Sequence, residues 1–194
     1  INTARIRPGD SVAVLGLGGV GLSGVLGARL AGAETIIAID REPAKLEVAR
    51  KAGATHVICA RDANCVEQVR DLTGGGVDYA FELAGSIDAM TTAYAIVKYG
   101  GSVVVAGLPA STACFSFNQS DLVSQEKSIR GSFMGSCVPV RDIPRFIRLY
   151  REGRLPVNHL IDGYIGYDQL NAGFDKLQDV KAIRQILTPH GARY

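Results

Sequence analysis

Apolar positions along the chain come in short continuous runs, separated by stretches in which they recur every three or four residues. Runs at 11–15, 55–59, 77–81, 102–106 and 128–133, and a run closing at Asp40, read as strands buried on both faces of a parallel sheet. Between them, the segments from Gly19, from 41 to 53, 63–72, 86–98 and 121–125 read as helices. Pro43 suits a first helical turn, Val66, Val69 and Leu72 share one face, and Ser86 can cap the fourth helix. Gly53, Gly74–Gly76 and Gly100–Gly101 supply the breaks. Six strands alternating with helices predict an α/β fold, a doubly wound Rossmann-type parallel sheet of order 3-2-1-4-5-6.

The rhythm changes at Pro139. A helix over 142–151 with Ile143, Phe146, Ile147 and Tyr150 on one side, a strand over 157–165, a helix over 167–177 and a strand over 183–187 do not continue the same sheet. The expected organisation is a nucleotide-binding domain over 1–138 and a C-terminal segment over 139–194. The segment Cys114 to Asn118 has strand character between Pro109 and the short helix, and reads either as an edge strand through which a second copy could add its own or as a loop folded onto its own subunit.

The first strand runs into Gly16-Leu17-Gly18-Gly19-Val20-Gly21, and Asp40 stands nineteen positions beyond Gly21. A G-x-G-x-x-G that leaves a strand, opens a helix and is answered by an acidic residue is a dinucleotide fingerprint. Gly16 permits the tight turn, Gly18 leaves room for a pyrophosphate, and Gly21 lets the helix approach the sheet. The backbone N–H groups of Gly19 and Val20, at the helix N-terminus, are expected to face the pyrophosphate. Asp40 would accept the adenosine ribose hydroxyls and repel a 2′-phosphate. The strand-end loops 16–21, 83–86, 106–109 and 132–135 are expected to converge with Asp40 at the carboxyl edge.

Composition excludes some partners. The 194 residues are 47% hydrophobic, ample for a core, and 21 basic against 19 acidic residues leave a formal charge of +2 with no basic stripe, so nucleic acid is not expected. No apolar run is long enough to span a membrane, and residues 1–8 lack the order of a signal peptide, so no membrane partner and a cytoplasmic location are expected. Cys59, Cys65, Cys114 and Cys137 have no metal-ligand spacing and read as structural thiols; His56, His159 and His190 read as surface or satisfied side chains.

Five motifs in order, 7–21, Asp40 with Lys45-Leu46, 75–82, Gly107-Leu108-Pro109 and 182–187, resemble the C-terminal part of the medium-chain zinc-containing alcohol dehydrogenases over nearly the whole chain. The resemblance implies NAD as cofactor, with Lys45 joining Asp40 at the ribose and Arg184 approaching the pyrophosphate. It further implies Ala106 and Ser132 to Met134 at the nicotinamide carboxamide, with Leu83 packed beside the cofactor and Leu108 nearby. It also implies that the zinc ligands and proton relay lie upstream of the residue matching Ile1. The chain is thus expected to be the NAD-binding part of a larger enzyme acting on an alcohol or aldehyde, without catalytic residues or metal of its own, with zinc only in the full-length protein. Phe146, Ile147, Leu160 and Ile165 would then form an exposed patch. Two other readings stand: a zinc-independent, NADPH-using quinone-reductase type, for which Arg41 could meet a 2′-phosphate, and a stand-alone NAD-binding module. Leu108 and Phe133 are candidates for one wall of a substrate pocket.

Overall fold

In the computed structural model, which describes residues 1–178 and 182–188, the strand and helix alternation is realised nearly residue for residue. The elements of the sheet are β1 (Ser11–Leu15), α1 (Gly19–Ala31), β2 (Thr35–Asp40), α2 (Pro43–Ala52), β3 (His56–Cys59), α3 (Cys65–Thr73), β4 (Val77–Glu82), α4 (Ile87–Ile96), β5 (Val97–Val105), α5 (Gln119–Ser124) and β6 (Ser128–Gly131). The six strands are parallel in the order β3-β2-β1-β4-β5-β6. Alternation within the strands divides the core: Ala13, Leu15, Ile37, Ile39, Ala80 and Val103 face α3 and α4, with Val69, Met90 and Ile96. Val12, Val14, Ile36 and Ala38, buried as well, point the other way, toward the side covered by α1 and α2. The order reverses between β1 and β4, where Leu83 N–H donates to Leu15 O at 2.9 Å and the strand ends open a crevice.

Three expectations are corrected in this unit. The fourth helix ends at Ile96, not near residue 98, and Gly100–Gly101 do not stop a helix: they sit within β5, where the register shifts against Val77 and Tyr79. An added Cβ on Gly101 would meet Lys98 O at 2.9 Å and Val77 O at 3.1 Å, so the glycine serves the bulge. The last strand is shorter than 128–133, because residues 133–136 turn as a 3-10 segment. The stretch from Cys114 to Asn118 is not a strand. Its aromatic residues pack locally instead: Phe115 meets Tyr94 edge-on at 5.9 Å, Phe117 lies 6.0 Å from the same ring, and Asn118 caps α5 by accepting from Ser120 N–H at 2.8 Å.

The chain divides into two compact units, Ile1–Leu155 and the residues from Pro156 onward. The first includes α6 (Pro139–Arg151), whose start is organised by Asp142. Without solvent exposure, Asp142 accepts from Val138 N–H, from Asn2 Nδ2 at 3.0 Å and bidentately from Arg141 at 2.7 and 2.9 Å. The Arg141 guanidinium and the Val138 N–H hold the carboxyl far below the usual carboxylate range. Thr3 Oγ1 is bonded to Ser132 Oγ and Ser136 Oγ at 2.7 and 2.8 Å, so the N-terminal residues are stitched to the loop after β6.

In the second unit, β7 (Gly163–Ile165) and β8 (Gln185–Leu187) form a parallel pair, joined through α7 (Leu170–Gln178). The strand expected from 157 begins only at Gly163, since Val157–Leu160 form a 3-10 turn. Leu160 is buried, contrary to the exposed patch expected of it, and Phe146 and Ile165 are half-buried; Ile147 is exposed. The expectation for His190 lies outside the described residues.

Candidate nucleotide site

The glycine turn is built as the spacing requires. Gly16 has φ +88°, and a Cβ on it would stand 2.7 Å from Ala84, so both its conformation and the approach of the next strand end demand glycine. A Cβ on Gly21 would collide with Gly16 O, the contact that seats α1 on the turn. Gly18 has ordinary extended angles and nothing within 4 Å of a Cβ. Its absent side chain therefore serves no internal packing and leaves open space before the helix. The first backbone bond of α1 is Leu22 N–H to Gly18 O, and Gly18 makes no side-chain cap, so the N–H groups of Gly19, Val20 and Gly21 have no helical acceptor. They face the end of a 13-residue helix with no acidic residue in its first turn.

On one side of the turn, Leu15, Gly16, Asp40, Arg41, Ala84, Ser86 and Asp88 line a cleft of about 250 Å³. Asp40 is fixed in it by two backbone donors, Leu17 N–H at 2.6 Å and Glu42 N–H at 2.9 Å. Each carboxylate oxygen keeps a lone pair for a further donor such as a ribose hydroxyl. Arg41 reaches across the mouth to Asp88, 3.3 Å away. Lys45, half-buried in the first turn of α2, does not line this cleft.

On the other side, a second and mainly apolar cleft of about 290 Å³ is lined by Val20, Leu83, Ala106, Ser132, Met134 and Gly135, with the N-terminal residues and Phe146 completing its wall. Val20 is 63% exposed at its rim. Met134, Gly135 and Ser136 have φ of 47°, 65° and 52°, three successive left-handed residues at a strand end. The chain from Thr3 holds this turn through the Ser132 and Ser136 hydroxyls. Thus Gly16, Asp40 and Arg41 meet in one cleft, and Val20, Leu83, Ala106, Ser132 and Met134 in the other. Leu108, 84% exposed, enters neither, and Phe133 is also exposed. Arg184 belongs to the second unit, where its backbone N–H is held by Asp162 Oδ2 at 2.7 Å and its side chain is exposed.

The residue most clearly missed from sequence is Glu82. Buried at the end of β4, it accepts from Ala84, Gly85 and Ser86 N–H at 3.0, 2.7 and 3.4 Å and so shapes the loop between the two clefts. Its signal was available: an acidic residue closing an apolar run. Asp88, in the first turn of α4, is a second cleft residue that the motifs do not mark. Of the four thiols, Cys65 is buried, and burial followed by the nearby Asp62 pushes its pKa up to about 11; Cys114 is exposed. Among the described residues no three His, Cys, Asp or Glu side chains converge on a possible metal position, so the described donor set does not fit a catalytic zinc. Nor is any helix of the described residues long and apolar enough to cross a membrane.

The chain is similar to known proteins in sequence and in fold. Residues 19–152 match the family model described as zinc-binding dehydrogenase. Alcohol dehydrogenase 1 of Zea mays is 36% identical over 190 residues, which is 96% of this chain but 50% of the relative. Alcohol dehydrogenase 1 of Pisum sativum is 34% identical with the same coverage. Benzyl alcohol dehydrogenase from Acinetobacter calcoaceticus superposes with a TM-score of 0.94 at 31% identity, covering 97% of this chain and 52% of that one. The chain spans about half the length of the relatives it matches, corresponding to their C-terminal, cofactor-binding half. The chain belongs to the zinc-binding dehydrogenase family.

Proposed function

We propose that this chain is the NAD(H)-binding part of a zinc-dependent alcohol dehydrogenase that converts an alcohol to an aldehyde or ketone. The observation that carries the reading is the open Gly18 position, flanked by the free N–H groups of α1 and by an oriented Asp40. The pyrophosphate would rest on Gly19, Val20 and Gly21 N–H, the adenosine ribose on Asp40, and the nicotinamide in the apolar cleft beside Leu83, Ala106, Ser132 and Met134. NAD, when bound, supplies the hydride acceptor. What this chain contributes is orientation and exclusion of water from one face of the ring; activation of the alcohol oxygen, with its zinc and proton relay, belongs to the other half of the longer protein. Lys45 at the ribose is a further proposed contact, as a charge-assisted donor. A cytoplasmic location is consistent with four free thiols and interspersed charge. Self-association near Cys114 to Asn118 is proposed through the exposed Phe117 and Cys114 rather than through a preformed strand.

Titration of the purified chain with NADH and NADPH, followed by nicotinamide fluorescence, tests the reading. The expected result is saturable NADH binding, weaker NADPH binding and no alcohol oxidation by the chain alone. Tighter NADPH binding would sink the choice of NAD, and absence of binding to either would sink the site.

A further inference from the structure

Arg41 follows the ribose-binding Asp40 directly, at the position from which a guanidinium could pair with a 2′-phosphate. In this structure it is already committed: its Nη2 lies 3.3 Å from Asp88 Oδ2. The two residues come from different elements, the β2–α2 turn and the first turn of α4, and both line the cleft at the β1 strand end. The pair therefore spans the mouth of the cleft. Both side chains are largely exposed, 61% and 84%, so the ion pair contributes little to folding. Glu42, next along the turn, is held by Arg61 at 2.9 Å, while Asp40 and Asp88 both line the cleft.

We propose that Asp88 is a specificity-determining residue of the nucleotide site: by holding Arg41 across the mouth of the cleft it denies the guanidinium to a 2′-phosphorylated adenosine. The proposal rests on the nucleotide reading above. Asp40 repels a 2′-phosphate from the floor of the cleft, and Asp88 removes the one arginine that lines it among the described residues and could offset that repulsion.

The test compares NADH and NADPH affinities of the 194-residue chain carrying Asp88→Asn, Arg41→Ala, or both. Asp88→Asn preserves side-chain shape and lies on an exposed first turn, and circular dichroism checks the fold. The expected result is a rise of about fivefold in the NADPH-to-NADH affinity ratio for Asp88→Asn, shrinking as salt is raised and abolished when Arg41→Ala is added. An unchanged ratio, or a rise that survives the loss of Arg41, would overturn the role given to Asp88 while leaving the nucleotide site standing. A wild-type chain that binds neither nucleotide would overturn the site itself and this assignment with it.

Discussion

At the scale of single residues, the glycines of the turn separate structure from binding. Gly21→Ala drives a Cβ into Gly16 O, so α1 must back away from the sheet; a loss of about 1–3 kcal/mol is expected in urea unfolding. Gly18→Ala meets no atom and adopts angles any residue accepts, so stability should stay within about 0.5 kcal/mol while NADH affinity falls at least about tenfold. Two glycines of one motif are thus expected to fail in different assays. Asp142 makes a prediction in pH. Its folded carboxyl is held far below its unfolded value, chiefly by Arg141, so its contribution is fully present above the unfolded pKa of about 3.9 and is lost as pH falls further. Thermal unfolding from pH 7 down to pH 2 should show Asp142→Asn less stable than wild type at neutrality, with the gap narrowing below about pH 4. A gap constant with pH would show that the charge of Asp142 is immaterial.

At the scale of elements, the strand ends are positioned by side chains that cross between them. Asp78 of β4 accepts from Ser11 N–H and Oγ on β1 and from Lys98 Nζ on β5 at 2.7 Å, tying three neighbouring strands at their starts. Burial works against the charged carboxyl, but the bonds from Lys98 and Ser11 prevail and lower its pKa. At the opposite ends, Glu82 and Ser86 govern the loop into α4, where Ser86 Oγ accepts from Ala89 N–H at 3.2 Å. Ser86→Ala is expected to cost about 1 kcal/mol in urea unfolding and to weaken NADH binding, because the same residue lines the adenosine-side cleft. The helices were legible from periodicity, and Pro43, Ser86 and Gly53 marked their ends as expected. The fourth helix was misread because Val97 and Lys98 fit a helix as readily as a bulged strand, and only pairing with Val77 decides between them. The stretch from Cys114 to Asn118 was misread for a related reason: its alternating phenylalanines suit a strand, yet Tyr94, distant in sequence, captures both rings.

At the scale of the whole molecule, the division after Leu155 supplies a further prediction. Arg154, exposed and preceded by Gly153 at φ +71°, lies at the boundary between the units. Brief trypsin treatment should cleave there first and leave a resistant fragment that contains the complete sheet. Mass spectrometry of the fragments reads the outcome, and a first cut elsewhere would count against this division.

The sequence by itself determined the sheet, its order and the glycine turn with Asp40, because strand burial, helix periodicity and the approach of backbone to phosphate are local demands, answered within some thirty consecutive residues. It marked the residues of both clefts but not their division, since Leu83 and Ala84 are adjacent in the chain and face different cavities. Tertiary structure alone decided that Glu82 shapes the loop between the clefts, that Asp142 anchors the N-terminal residues, and that Arg41 is spoken for by Asp88. Those are pairings between charges and donors brought together only by folding, and no periodicity along the chain records which carboxylate a given arginine will meet.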